Sequence, residues 1–83
     1  MDKILIEMYV PAINQSYDIF IPQGSQMFQV LELVKKAVAE LSAGRFVPTE
    51  ETTFCYRETG SIVNINMTVL ELGISNGSKL MLI

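Results

Sequence analysis

The feature that most constrains this chain is a change in apolar period around residue 25. Before it, Ile4, Ile6, Met8 and Val10 alternate with Leu5, Glu7 and Tyr9, and Tyr17, Ile19 and Ile21 alternate with Asp18 and Phe20. A period of two in segments rich in β-branched residues predicts strands. Pro11 ends the first run, and Pro22, which cannot donate to a ladder, closes the second. With the loop 11–16 between them, the two runs predict an antiparallel hairpin. After it, Met27, Val30, Leu33, Val34, Ala37, Val38 and Leu41 recur at helical spacing, and Glu32, Lys35, Lys36 and Glu40 fall on the opposite or flanking face. A hairpin followed at once by an amphipathic helix buries both apolar surfaces most economically when the helix lies across one face of a sheet.

The remaining segments supply more strands for that sheet. Ser25 is placed to cap the helix start, although Phe28 stands where a capping box needs Glu or Gln. Gly44 offers a left-handed stop and Pro48 prevents the helix from resuming, so 45–52 reads as a loop. Residues 53–57 (Thr-Phe-Cys-Tyr-Arg) alternate and favour a strand, 58–61 turn the chain, and 62–65 form a further short strand. Thr68 with Glu71 three residues on, then Gly73, predicts one capped helical turn. Asn76-Gly77 is a strong turn signal, and Ser78 to Ile83 alternates Leu80 and Leu82 against Lys79, Met81 and Ile83 as a final strand. The expected core sets Ile4, Ile6, Tyr17, Ile19, Ile21, Leu80 and Leu82 against Val30, Val34, Ala37, Val38 and Leu41.

At 83 residues the chain holds one hydrophobic core, so residues 1–83 are expected to form a single domain. The net charge is −3 and the six Lys and Arg are scattered, which argues against a nucleic-acid partner. Cys55 is the sole cysteine and there is no histidine, so neither an internal disulfide nor a Cys/His zinc site can be assembled; no metal or cofactor is expected, and a reducing, cytoplasmic compartment fits. The first residues lack a signal peptide's basic start and cleavage site, and no later stretch approaches the ~20 apolar residues of a membrane span, so direct membrane insertion is not expected. Three Asn-X-Ser/Thr triplets, at Asn14, Asn66 and Asn76, read as turn chemistry.

From Thr68 to Ile83 the sequence Thr-Val-Leu-Glu-Leu-Gly-Ile-Ser-Asn-Gly-Ser-Lys-Leu-Met-Leu-Ile resembles the ending of ubiquitin-like proteins, in which a threonine and leucine lead through a short turn into the last strand. Leu72-Gly73-Ile74 followed by Asn76-Gly77-Ser78-Lys79-Leu80 is most similar to the small YukD/EsaB-type proteins of bacterial type VII secretion. The resemblance implies an α+β, ubiquitin-like β-grasp fold, with a mixed four- to five-stranded sheet and one long helix packed across one face. It also implies an accessory protein of a secretion apparatus, working through protein contacts and carrying no catalytic motif. Arg45-Phe46-Val47-Pro48-Thr49 and Cys55 depart from the better-known members.

Ubiquitin-like conjugation and sulfur transfer need a flexible C-terminal glycine, whereas this chain ends on Leu82-Ile83. The expectation is a non-enzymatic interaction module that is not conjugated. The alternative is a ubiquitin-like modifier or sulfur carrier whose tail is missing from this chain. Without histidine there is no ordinary general base, and the acidic pair Glu50-Glu51 reads as a solvated loop. Cys55 reads as a small packing residue rather than a reactive thiol. The alternation that buries Ile4, Ile6, Leu80 and Leu82 sends Leu5, Cys55, Met81 and Ile83 to the other face, with Phe20 on the neighbouring strand. That face is expected to be apolar and to meet a protein partner, either a secretion-system component or a second copy. Phe28 stands outside the helix stripe, and its role is left open.

Overall fold

The structure is a computed structural model that describes residues 2–83. Strands β1 (Lys3–Val10) and β2 (Gln15–Pro22) form the hairpin, joined by one 3₁₀ turn at Pro11–Ile13. Asn14 closes that turn in the left-handed region at φ 51°, a conformation that Asn tolerates better than most residues. Helix α1 spans Met27–Leu41, and β3 (Phe54–Tyr56) and β4 (Lys79–Leu82) complete a sheet of order β2-β1-β4-β3. The β1–β4 pair is parallel and the other two pairs are antiparallel. This is the ubiquitin-like β-grasp expected, with four strands.

Two expectations need correction. Residues 62–65 do not form a strand; they contribute one bridge, Ile62 to Cys55. Tyr56 and Ser61 are joined by the Tyr56 amide, and the Val63 amide donates to the Phe54 carbonyl, so the chain runs beside β3 for only a few residues. It then leaves the sheet because its next carbonyls are used elsewhere: Ile65 and Met67 accept from the amides of Phe28 and Met27, at 3.0 and 2.9 Å. Those bonds satisfy first-turn donors of α1, which also explains why Ser25 does not cap it. The N-cap is Gln26, which makes no side-chain capping bond.

The second correction concerns the phase of α1. Its buried residues are Met27, Val30, Leu31, Val34 and Val38, a stripe at i, i+3, i+4, i+7 and i+11. Leu41, expected in the core, and Leu33, part of the expected apolar stripe, are more than half exposed, and Ala37 is half-buried. The core packs this stripe against Ile4, Ile6, Met8, Val10, Ile21, Phe54, Leu80 and Leu82, with Tyr17 and Ile19 at its margin. Phe46, Val63, Val69 and Ile74, from segments between the regular elements, belong to the same core.

The helix ends in a Schellman arrangement. Gly44 donates to Ala39 O and Ala43 to Glu40 O, and both residues have positive φ, 82° for Gly44 and 55° for Ala43. Ser42 accepts from the Phe46 amide through Oγ at 3.1 Å, which seats Phe46 in the core. Beyond it, Thr68 and Glu71 form the expected reciprocal capping box: the Glu71 amide donates to Thr68 Oγ1 and the Thr68 amide to Glu71 Oε1. The turn it starts is closed by bonds from Leu72 to Thr68 and from Gly73 to Leu70.

Candidate interaction surface

The register fixes what the sheet presents on the face away from α1. Cross-strand partners share a face, so this surface can be written as three rows crossing the sheet. The first row is Phe20 and Leu5. The second is Asp18, Glu7 and Lys79, extended by Arg57, whose amide donates to the Lys79 carbonyl. The third is Ser16, Tyr9, Met81 and Cys55, with Ile62 bridging Cys55 on its far flank. Ile83 continues β4 by one residue through mutual amide–carbonyl bonds with Thr53, both 3.0 Å.

All five residues proposed from the sequence therefore occupy this face by register, but the structure does not bring them into one patch. The row Asp18-Glu7-Lys79-Arg57 separates Phe20 and Leu5 from Met81 and Ile83. Arg57 pairs with Glu7, and its guanidinium lies 4.6 Å from the centroid of the Tyr9 ring. Tyr9 in turn donates its hydroxyl to Asn14 Oδ1 at 2.8 Å. A face expected to be apolar thus has a charged band across its middle.

Cys55 needs a further correction. It sits at an outward register position but is only 2% exposed, held between partners on both flanks, Met81 and Ile62. A partner cannot reach it without displacing those neighbours, so it supports the face and offers no contact. Ile62 instead projects there, 70% exposed. The apolar group on the β3–β4 side is therefore Ile62, half-buried Met81 and half-exposed Ile83; on the β1–β2 side it is Phe20, 66% exposed, with Leu5 beside it.

Sequence reasoning passed over Arg57, Glu7, Tyr9 and Ile62 as members of this surface. The signal for the first three was parity: Glu7 and Tyr9 share the phase of Leu5, and Arg57 that of Cys55. Ile62 had no such signal, because its place depends on a single bridge. The charges are also ordered. Asp18 and Glu7 lie on β2 and β1, Lys79 on β4 and Arg57 directly after β3, so the band runs from acidic to basic across the sheet.

Elsewhere the described residues hold no cluster of three or more metal-ligating side chains. Glu50 and Glu51 lie in an exposed turn that Thr49 closes by donating its amide to Thr52 Oγ1. No described helix is long and apolar enough to cross a membrane. Phe28, near the start of α1, is about half exposed and lines a shallow apolar depression with Leu33 and the stems of Glu32 and Lys36.

No protein-family model and no curated protein sequence matches this chain. Solved structures do. The ubiquitin-like domain of the Mycobacterium tuberculosis type VII secretion system protein EccD1 superposes with a TM-score of 0.79 at 14% identity, covering 100% of this chain and 99% of that one. The EccD5 ubiquitin-like domain from Mycobacterium xenopi gives 0.69 at 12% identity, covering 100% of this chain and 94% of its own. The ubiquitin-like domain of Plasmodium falciparum Dsk2 gives 0.74 at 14%, covering 98% and 96%.

Proposed function

We propose that this domain is a non-enzymatic, ubiquitin-like protein-interaction module of a type VII-like secretion apparatus, working in the bacterial cytoplasm. The observation that carries the reading is the end-to-end structural likeness to the ubiquitin-like domain of EccD1, a type VII secretion protein. At this level of identity the likeness concerns fold, so the surface must supply the chemistry of docking.

On the sheet face away from α1, Ile62, Met81 and Ile83 offer an apolar anchor beside the cationic end of the charged band, Lys79 and Arg57. Leu5 and Phe20 lie on the acidic side, across Asp18 and Glu7. A partner that fits carries an apolar side chain for the Met81–Ile83 site, acidic residues next to it, and basic residues further toward β2. Opposed charges of this kind set orientation and encounter rate more than raw affinity.

The test is co-purification of secretion-apparatus components from the native cell, identified by mass spectrometry, using Ile83→Glu alone and with Met81→Glu. With circular dichroism and melting unchanged, loss of those components is the expected result. Recovery undiminished in folded variants would refute the reading.

A further inference from the structure

The two edges of the sheet are not alike. Outside β3 the chain at 61–63 runs alongside, through the bonds of Tyr56 with Ser61 and of Val63 with Phe54. Outside β2 no strand pairs among the described residues. The Gln23 amide donates to the Asp2 carbonyl, and in that register the odd-numbered residues of β2 carry the ladder to β1. Ser16, Asp18 and Phe20 therefore turn both amide and carbonyl outward, whereas Pro22 has no amide and its carbonyl already accepts from the Ser25 amide at 3.4 Å. An eight-residue edge with free groups is a template for another strand.

An apolar groove lies directly beside that edge. Ile19, Phe20, Ile21 and Pro22 form one wall, and Val30, Leu33, Val34 and Ala37 of α1 form the other. Leu33, Ala37 and Leu41 stand at i, i+4 and i+8, outside the buried stripe of the helix, and Leu33 and Leu41 are 58% and 59% exposed. Along the outer rim of that row, Lys36 and Glu40 have no ion-pair partner among the described residues.

We infer that this edge, with the Leu33–Ala37–Leu41 row beside it, is the interface to a second copy of the same chain. The edge is complementary to itself in one antiparallel register, about a two-fold axis through Ile19. There Asp18 and Phe20 exchange amide–carbonyl bonds with Phe20 and Asp18 of the second copy, and each Ser16 amide takes the second lone pair of the opposite Pro22 carbonyl, which the Ser25 amide already shares. Pro22, which has no amide to give, is asked only to accept. Ile19 meets Ile19 and Tyr17 meets Ile21 on the helix side, while each Asp18 lies opposite Phe20. The register centred on Asp18 would instead set two carboxylates against each other, which is unfavourable.

The same axis makes the two helices antiparallel, so their exposed leucine rows cover each other. Lys36 of each copy then faces Glu40 of the other, giving two ion pairs from residues otherwise unpaired. The contact is isologous and closes on itself as a dimer. It leaves the opposite sheet face, with Met81 and Ile83, free for a different partner.

Sedimentation across a micromolar-to-millimolar series tests this on the full chain. The expected result is a monomer–dimer equilibrium, with the amides of Ser16, Asp18 and Phe20 becoming protected from exchange as the dimer forms. Asp18→Pro removes an edge donor without touching the ladder to β1, and Leu33→Lys charges the helix row; each is expected to leave a folded monomer. Lys36→Glu or Glu40→Lys alone is expected to weaken dimerisation about tenfold, and the double reversal to restore most of it. A monomer throughout the series overturns the inference, as does a dimer indifferent to both Asp18→Pro and Leu33→Lys. Edge amides protected only when an extended foreign peptide is added would likewise overturn it. Ile83→Glu must leave the dimer intact, which separates this result from the partner-binding test.

Discussion

At the scale of single residues, several positions depart from what their type prefers, and these give the sharpest predictions. Ala43 holds the left-handed position that ends α1, where a side chain costs roughly 1–2 kcal/mol and Gly costs little. Ala43→Gly should gain about 1 kcal/mol less the entropy that Gly adds to the unfolded chain, raising the melting temperature by a few degrees. Glu71 departs in its titration: the hydrogen bonds from the Thr68 amide and then the Thr68 hydroxyl hold its carboxyl below the usual glutamate range. A depressed folded-state value means that its contribution is present above the ordinary glutamate pKa and is lost as pH falls through the lowered one. Melting followed from pH 6 to pH 2 should therefore lose an acid-sensitive component in Glu71→Gln. Cys55, buried between Met81 and Ile62, should react with a thiol reagent only through opening of the structure. Labelling faster than the exchange of its buried neighbours' amides would contradict that burial.

At the scale of elements, α1 shows where sequence reading stops. Both flanks of its central stripe carry leucine: Leu31 extends it on one side, and Leu33 and Leu41 on the other. Periodicity alone does not choose between two faces of similar hydrophobicity. The choice is made by the core as a whole, which Leu31 shares with the sheet residues and with Phe46, a loop residue without periodic signal. Substitution distinguishes the faces: Leu31→Ala should cost about 2–4 kcal/mol, and Leu33→Ala under about 0.5 in dilute monomer, by chemical denaturation. The hairpin and the last strand were legible because Pro11, Pro22 and Asn76-Gly77 mark their ends and alternation sets their faces. The same alternation placed Leu5, Phe20, Cys55, Met81 and Ile83 on one face. It said nothing of the charged band dividing them, because that band joins residues from four segments in register. Nor could it show Cys55 enclosed, which depends on Ile62 arriving from beyond a turn.

For the whole molecule, the arrangement of strands matters more than any one contact. β1 lies between β2 and β4, so the hairpin alone covers only one of its edges. The other is taken by the segment around Asn76: its Oδ1 accepts from the Leu5 amide at 2.8 Å, the Gly77 amide donates to the Leu5 carbonyl, and Glu7 donates to Ser78. Asn76→Ala should cost about 1 kcal/mol, read as a shift of the denaturation midpoint with an unchanged slope. During synthesis the strand made first waits for a neighbour encoded some seventy residues later. Until Leu80 and Leu82 clear the ribosome, Met8 and Phe54 have no strand between them to close the core. A nascent chain halted at Ser75 should therefore be cut readily by protease, and one extended past Ile83 on a linker should resist it, so that the domain forms late and in a single step.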